Sequence, residues 1–154
     1  MQIIVVAVGK HKETHWRKAQ ADYVRRLAPF ASVEIIEVAD MPDTVARDRA
    51  LEMEAAAIAK VLKPRDFVCA LAITGEAFTS EGLARYLDRQ FASSFGRYLF
   101  VIGGSRGLAA PLVDGADARL SLSSLTFPHA IARIVLLEQL YRAFTIRAGM
   151  PYHK

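Results

Sequence analysis

Apolar, β-branched runs alternate with segments of helical period along the whole chain. Residues 2–9 form the first such run, ending on Gly9, and residues 33–38 the second, with Ile35 and Ile36 at its centre. Further runs follow at 66–73, 98–102 and 118–122. Between them, residues 13–27 repeat Trp16, Ala19, Tyr23 and Leu27 at helical spacing, ahead of Pro29. Residues 42–62 are Ala-rich, with Asp43 or Thr44 as a candidate N-cap and Pro64 beyond the end. Thr79-Ser80-Glu81 opens a helix to about Ser93, closed by Gly96, and Pro128 precedes the last helix, His129–Arg147. This alternation predicts an α/β fold: a mostly parallel sheet with helices on both faces. No linker, repeat or low-complexity segment interrupts it, so residues 1–154 read as one domain. In such sheets ligands bind beyond the carboxyl ends of strands, which singles out the segments after Ile73, Ile102 and Leu122.

Composition narrows the classes. With 53% hydrophobic and 23% charged residues the chain has enough apolar surface for a core and is not a disordered one. The single cysteine, Cys69, excludes an internal disulfide framework and a multi-cysteine metal cage. It sits in an apolar run and reads as a small buried hydrophobe. No apolar run approaches the roughly 20 residues that span a bilayer, so no membrane partner is expected. The first apolar run has no basic segment ahead of it and no small-residue cleavage site after it, so a cytoplasmic location is expected.

The 20 Lys and Arg exceed the 16 Asp and Glu, and they are unevenly spread. Residues 1–30 and 128–154 are basic, and the stretch between is acidic. Asymmetry of this kind fits either a polyanionic partner such as RNA or a merely solvated basic surface.

Two loops carry candidate chemistry. Gly103-Gly104-Ser105-Arg106-Gly107 directly follows a buried strand, where glycines let backbone amides approach a ligand. An ordinary tight turn has the same composition, and the spacing is neither that of a dinucleotide fingerprint nor that of a P-loop. The second loop, from Ser121 to His129, is rich in hydroxyl side chains ahead of a Pro-started helix. It either exposes main-chain groups to an adenine edge or is a plain polar cap. His11, His15, His129 and His153 lack metal-ligand spacing. Arg133, Arg142 and Arg147 are either phosphate contacts or snorkelling cations on an apolar helix. That helix is apolar nearly all round, with Ile131, Ile134, Val135, Leu136, Leu137, Leu140, Tyr141, Phe144 and Ile146. It must be buried on more than one side, and a second subunit is expected to supply one of them.

In combination these segments are more specific. A strand followed by I-G-G-S-x-G-L, then L-S-L-S-x-L-T-F-P-H, then R-x-x-L-x-E-Q-x-Y-R-A-F-x-I, then G-x-P-Y-H-K, resembles the ribosomal RNA large subunit methyltransferase H family. These are the 23S rRNA pseudouridine-1915 N3-methyltransferases of the SPOUT superfamily, and the similarity covers the whole chain. The resemblance implies a Rossmann-like sheet with a C-terminal deep trefoil knot, a homodimer, and an active site at the subunit interface. It implies S-adenosylmethionine as methyl donor, with no metal, and 23S rRNA within the 70S ribosome as substrate. It assigns donor contacts to Leu71, to Gly103, and to Leu122, Ser123, Ser124, Leu125, Thr126 and Phe127. One position departs, Arg106, where relatives tend to carry Glu, Asp or Asn.

Methylation at N3 of pseudouridine removes an imide proton, and His is the side chain whose ordinary titration suits that task. His153 is therefore the expected proton acceptor, Tyr152 the group that stacks on or orients the base, and Arg142 a phosphate or imide-anion partner. A basic N-terminal helix (Arg17, Lys18, Arg25, Arg26) would extend the RNA footprint. Two other classes remain open at this point: a SPOUT-type methyltransferase acting on another RNA, and a non-catalytic RNA- or nucleotide-binding module of the same fold.

Overall fold

The structure is a computed structural model and describes residues 1–93 and 95–153. Ser94 and Lys154, the last residue of the tail motif, lie outside the described residues. The strands are β1 (Gln2–Val8), β2 (Ser32–Val38), β3 (Asp66–Ala77), β4 (Arg97–Ile102) and β5 (Ala118–Ser121). They form one sheet in the order β2-β1-β4-β3-β5, and every pairing is parallel. The helices are α1 (Thr14–Leu27), α2 (Arg47–Ala59), α3 (Ser80–Phe91), α4 (Ala110–Asp114) and α5 (His129–Arg147).

β1 lies between β2 and β4 and is buried on both faces, which is why it reads as an uninterrupted apolar run. Alternate side chains feed two cores. Ile3, Val5 and Ala7 join Leu27 of α1, Leu83 and Leu87 of α3, and Leu136, Leu140 and Phe144 of α5. Ile4, Val6 and Val8 join Ile58 of α2 on the opposite face, with Leu112 of α4 against them. The helices thus cover both faces, as the alternation requires. Phe144 stacks between Phe30 and Phe91, at ring-centroid distances of 5.3 and 5.6 Å. Cys69 is buried in the first core as a small hydrophobe, and burial pushes its thiol up to about 12.

Three elements differ from the sequence reading. α2 begins at Arg47, so residues 42–46 are loop, and neither Asp43 nor Thr44 caps it. α4 is a helix of 5 residues, too short to leave a periodic signal. β3 does not stop at Ile73. It continues to Ala77 across a bulge, because Leu71 and Glu76 both pair with Leu120 and residues 72–75 loop out between them. Gly75 allows this, since a Cβ there would lie 2.7 Å from the Leu120 carbonyl carbon.

α5 has the bounds its caps predict. Its core side is covered by the sheet, α1 and α3. Ile131, Ile134 and Val135 belong to neither core and stay half-buried, forming a stripe with Glu138 and Arg142 at spacings of three and four. Arg133 is neither a phosphate contact nor a snorkelling cation, because it is fully buried. Its guanidinium donates to the Gly9 carbonyl (2.8 Å), Gln20 (3.1 Å) and the Glu37 carboxylate (2.5 Å), pinning the ends of β1 and β2 to the first turns of α5. Among the described residues no helix is long and apolar enough to cross a membrane.

Candidate functional site

The carboxyl ends of β3, β4 and β5 open onto one cleft of about 1000 Å³. Each of the three loops singled out above contributes a wall. The bulge of β3 brings Leu71, Ile73 and Thr74; the glycine loop after β4 brings Gly103 to Gly107; the loop after β5 brings Leu122, Ser123, Leu125, Thr126 and Phe127. Of the predicted donor contacts only Ser124 falls outside the lining, although it sits in the same loop. Ser123 shapes that loop, since its hydroxyl accepts from the Leu125 amide at 3.0 Å.

The glycine loop is a close fold of backbone on backbone. A Cβ on Gly103 would lie 2.4 Å from the Gly107 carbonyl, so no side chain fits there. Gly107 has φ +78, the left-handed region that glycine tolerates, but open space around it. Arg106 does not aim its charge at a ligand. Its guanidinium donates to the carbonyls of Met41 and Pro42 at 3.2 Å and of Val45 at 3.4 Å, and pairs with Asp43. Arg106 therefore acts as a brace, tying the glycine loop to the segment between β2 and α2.

The second group of predicted residues assembles at the other end of α5. Gly149, with φ +63, turns the chain after the helix, and the tail folds back along it. Arg142 is clamped by Glu138, with Nε and Nη2 at 3.1 and 2.7 Å from Oε1. Tyr152 lies under that guanidinium, 4.9 Å from ring centre to Cζ, and its hydroxyl donates to the same Glu138 oxygen at 3.2 Å. Burial, hydrogen bonding with Tyr23 and the Glu138 charge push the Tyr152 phenol up to about 12, so it stays neutral. The His153 ring is held at both nitrogens, Nδ1 at 3.2 Å from Arg142 and Nε2 at 2.9 Å from Glu81 of α3. A guanidinium only donates, so Nδ1 carries the lone pair and Nε2 the hydrogen given to Glu81. The Glu81 carboxyl is held below its usual range, chiefly by a backbone hydrogen bond at the start of α3 and next by His153.

The structure thus brings Tyr152, His153 and Arg142 to one another but not to the cleft. Ala132 is the last α5 residue on the cleft wall. Arg142 lies ten residues further along the helix, about 15 Å at the α-helical rise.

Residues 1–153 match a protein family described as "Predicted SPOUT methyltransferase". The chain belongs to the SPOUT methyltransferase family. Among solved structures it resembles a probable methylase family protein from Haemophilus influenzae Rd KW20, at 11% identity and a TM-score of 0.56, covering 99% of this chain and 70% of that one. At that identity the likeness is one of fold. It agrees with the Rossmann-like parallel sheet seen here.

SPOUT methyltransferases generally use S-adenosylmethionine, and the cleft suits such a ligand. Leu71, Ile102, Leu122 and Phe127 provide an apolar lining for a planar ring, and the glycine loop leaves its backbone unobstructed by side chains. Thr74, Ser105, Ser123 and Thr126 add hydroxyls to the lining, and Asp114, paired with Arg119 at 3.2 Å, adds a carboxylate for a cationic ligand. Among the described residues no group of three His, Cys, Asp or Glu side chains is placed to hold a metal ion. The sequence reading missed Glu138 and Glu81, the carboxylates that organise the tail. A charge four residues before Arg142 was a usable signal for the first of these. Glu81 lies 72 residues from His153, and nothing local links them.

Proposed function

We propose that this SPOUT methyltransferase is a homodimer that transfers a methyl group to N3 of pseudouridine 1915, in helix 69 of 23S rRNA, on the assembled cytoplasmic ribosome. The observation that carries the reading is the separation along α5. One chain holds a cleft suited to the methyl donor at the start of the helix and a cluster of charged and aromatic side chains at its end. Two copies packed antiparallel on the half-buried Ile131, Ile134 and Val135 stripe would bring the cleft of one to the tail of the other. A two-fold interface of that kind is self-complementary and gives two composite sites.

S-adenosylmethionine supplies an electrophilic methyl on a sulfonium. The residues of Leu71, Gly103 and the 122–127 loop hold it in the cleft. The pseudouridine N3 forms the new bond to carbon as the carbon–sulfur bond breaks, and the imide proton leaves to His153. Nδ1 is the nitrogen with the free pair, so its contact with Arg142 opens when the proton arrives. Arg142 then turns from the imidazole toward the imide oxygen or a phosphate, still tethered by Glu138. Tyr152, neutral and packed against Tyr141, offers a ring face for the base. Deprotonating and aligning the nucleophile is the whole task, and positioned acid–base groups typically contribute about 10²–10⁴-fold to such a step.

The test is transfer of labelled methyl from S-adenosylmethionine to 70S ribosomes lacking the modification, with the product nucleotide mapped. Label at N3 of the helix 69 pseudouridine is the expected outcome. Its absence, on ribosomes that a characterised enzyme of the H family does methylate, overturns the substrate and leaves the methyltransferase.

A further inference from the structure

A second cavity, of about 780 Å³, lies against the donor cleft and shares Pro128 and His129 with it. It opens at the carboxyl ends of β1 and β2. Its walls are Lys10, His11, Lys12, Trp16, Asp40 and the first turn of α5. Nothing in the methyl-transfer chemistry uses it.

His11 is the unexplained group. It is 94% removed from solvent, its exposure being 6%, and neither ring nitrogen makes a well-formed hydrogen bond, the Ala130 backbone making only a marginal approach. Leaving such a group unpaired costs free energy that an apolar side chain of similar size would avoid. Its backbone amide is satisfied by Glu37 at 3.0 Å, so the fold anchors the residue without using the ring. Burial first, and the neighbouring Arg133 charge next, hold the imidazole below its usual pKa. The Glu37 carboxylate and the Ala130 backbone pull the other way, and His129 adds to the lowering. The ring is thus neutral, presenting one donor and one acceptor.

Around it the cavity has a second set of features. α5 is 19 residues long and its N-cap, Pro128, offers no side-chain hydrogen bond, so no side chain caps the first-turn amides, and residues 128–131 line the cavity. Lys10 and Lys12 are exposed at the rim, and Trp16 is half-buried in the wall.

We infer that this cavity takes one nucleotide of an RNA chain, next to the nucleotide that receives the methyl group. Both His11 nitrogens are closed off from solvent in the free chain, so the ring turns to offer its donor and acceptor to the base edge; the first-turn residues of α5 and Trp16 lie against the base, and Lys10 and Lys12 hold the phosphate at the rim. The inference rests on the RNA-methylating reading above. A flanking nucleotide held here would add contacts without a separate RNA-binding module, and base–aromatic contact needs no particular base.

The chain has one tryptophan, so Trp16 fluorescence reports this cavity alone. The experiment titrates the full-length protein with a helix 69 hairpin oligoribonucleotide, following Trp16 emission and fluorescence anisotropy of the labelled RNA together. Free uridine monophosphate is titrated separately, and S-adenosylmethionine binding is followed by thermal shift. Binding of the hairpin is expected to quench Trp16. His11→Leu is expected to weaken hairpin binding about tenfold, the equivalent of one or two hydrogen bonds. Its Tm is expected to stay the same or rise, because the orphaned nitrogens are gone, and its response to S-adenosylmethionine to stay unchanged. Trp16→Ala is the second variant and should weaken hairpin binding by a similar factor. Hairpin binding with no change in Trp16 emission, or with His11→Leu as tight as wild type, overturns the site and leaves the RNA reading intact. No anisotropy change at all, with a normal response to S-adenosylmethionine, overturns this site, whereas the RNA-methylating reading stands or falls on label transfer to 70S ribosomes. Quenching by uridine monophosphate at concentrations where the hairpin has no effect overturns the RNA chain as its source.

Discussion

The two ends of α5 solve different problems with different materials. At its N-terminal end the cleft is made by backbone shape: a bulge in β3, a glycine loop folded on itself, and a hydroxyl-shaped turn. Charged side chains on its wall are tied to neighbours, Arg106 to the Met41 and Pro42 carbonyls and Asp114 to Arg119. At its C-terminal end the tail is made by charge: one carboxylate, Glu138, holds Arg142 and Tyr152, and a second, Glu81, holds His153. A backbone-built site tolerates almost any side chain that does not intrude, and fails abruptly when one does. A charge-built site loses function by degrees as each partner is removed. The first suits binding of an invariant donor, the second a residue set that must change partners during a reaction.

That contrast can be broken at either end. The largest effect is expected from His153→Ala, a fall in kcat of about 10²–10⁴-fold with S-adenosylmethionine affinity unchanged, measured by single-turnover methyl transfer and calorimetry. Near-normal turnover would remove His153 from the reaction. Gly103→Ala should weaken donor binding by about 100-fold, because its Cβ would sit 2.4 Å from the Gly107 backbone. Gly107→Ala has open space and only an unfavourable φ, so a cost of about 1 kcal/mol is expected. If both variants bound the donor equally badly, strain rather than shape would govern the loop.

Mixing the two crippled chains sharpens the comparison. In a two-fold dimer with composite sites, an equal mixture of His153→Ala and Gly103→Ala should recover about a quarter of wild-type activity. No recovery after subunit exchange, followed by mass spectrometry, would place both halves of the site in one chain. Arg106→Ala should reduce donor affinity a few-fold, since it loses a brace and not a contact. The smallest effect concerns pH. A phenol whose pKa is raised in the folded chain stabilises fully below its unfolded value, near 10, and loses that contribution as pH rises to about 12. Cys69, Tyr86 and Tyr98 shift in the same direction, so the Tyr152 share is the difference between wild type and Tyr152→Phe in alkaline melts.

How much of this was legible depended on the range of the interaction. β1 and the bounds of α5 were readable from local pattern. β1 is apolar on both faces, and α5 is bounded by Pro128 before it and by Gly149 after it. The cleft was readable as three segments at strand ends, and the parallel sheet brings all three together. α4 was missed because one turn leaves no period. β3 was cut short because Gly75 looks like a turn, whereas its missing Cβ lets β5 run close beside a bulge. Arg133 read as a surface cation on an apolar helix. Its partners are Gly9, Gln20 and Glu37, between 96 and 124 residues away along the chain, and no local pattern reports a pair at that distance. His11 carried no signal at all, since a histidine between two lysines reads as solvated.

The sequence alone determined the alternation of strands and helices, and with it the layered fold, because periodicities of two and 3.6 are local properties of the chain. It also set which loops crown the sheet. Only the tertiary structure decided which charges are spent inside the fold. Arg133 and Arg106 became internal braces, Arg142 and His153 a tethered cluster, and His11 an unpaired ring in a cavity. Burial and partner choice depend on which elements pack against each other, and that is settled only when both cores close.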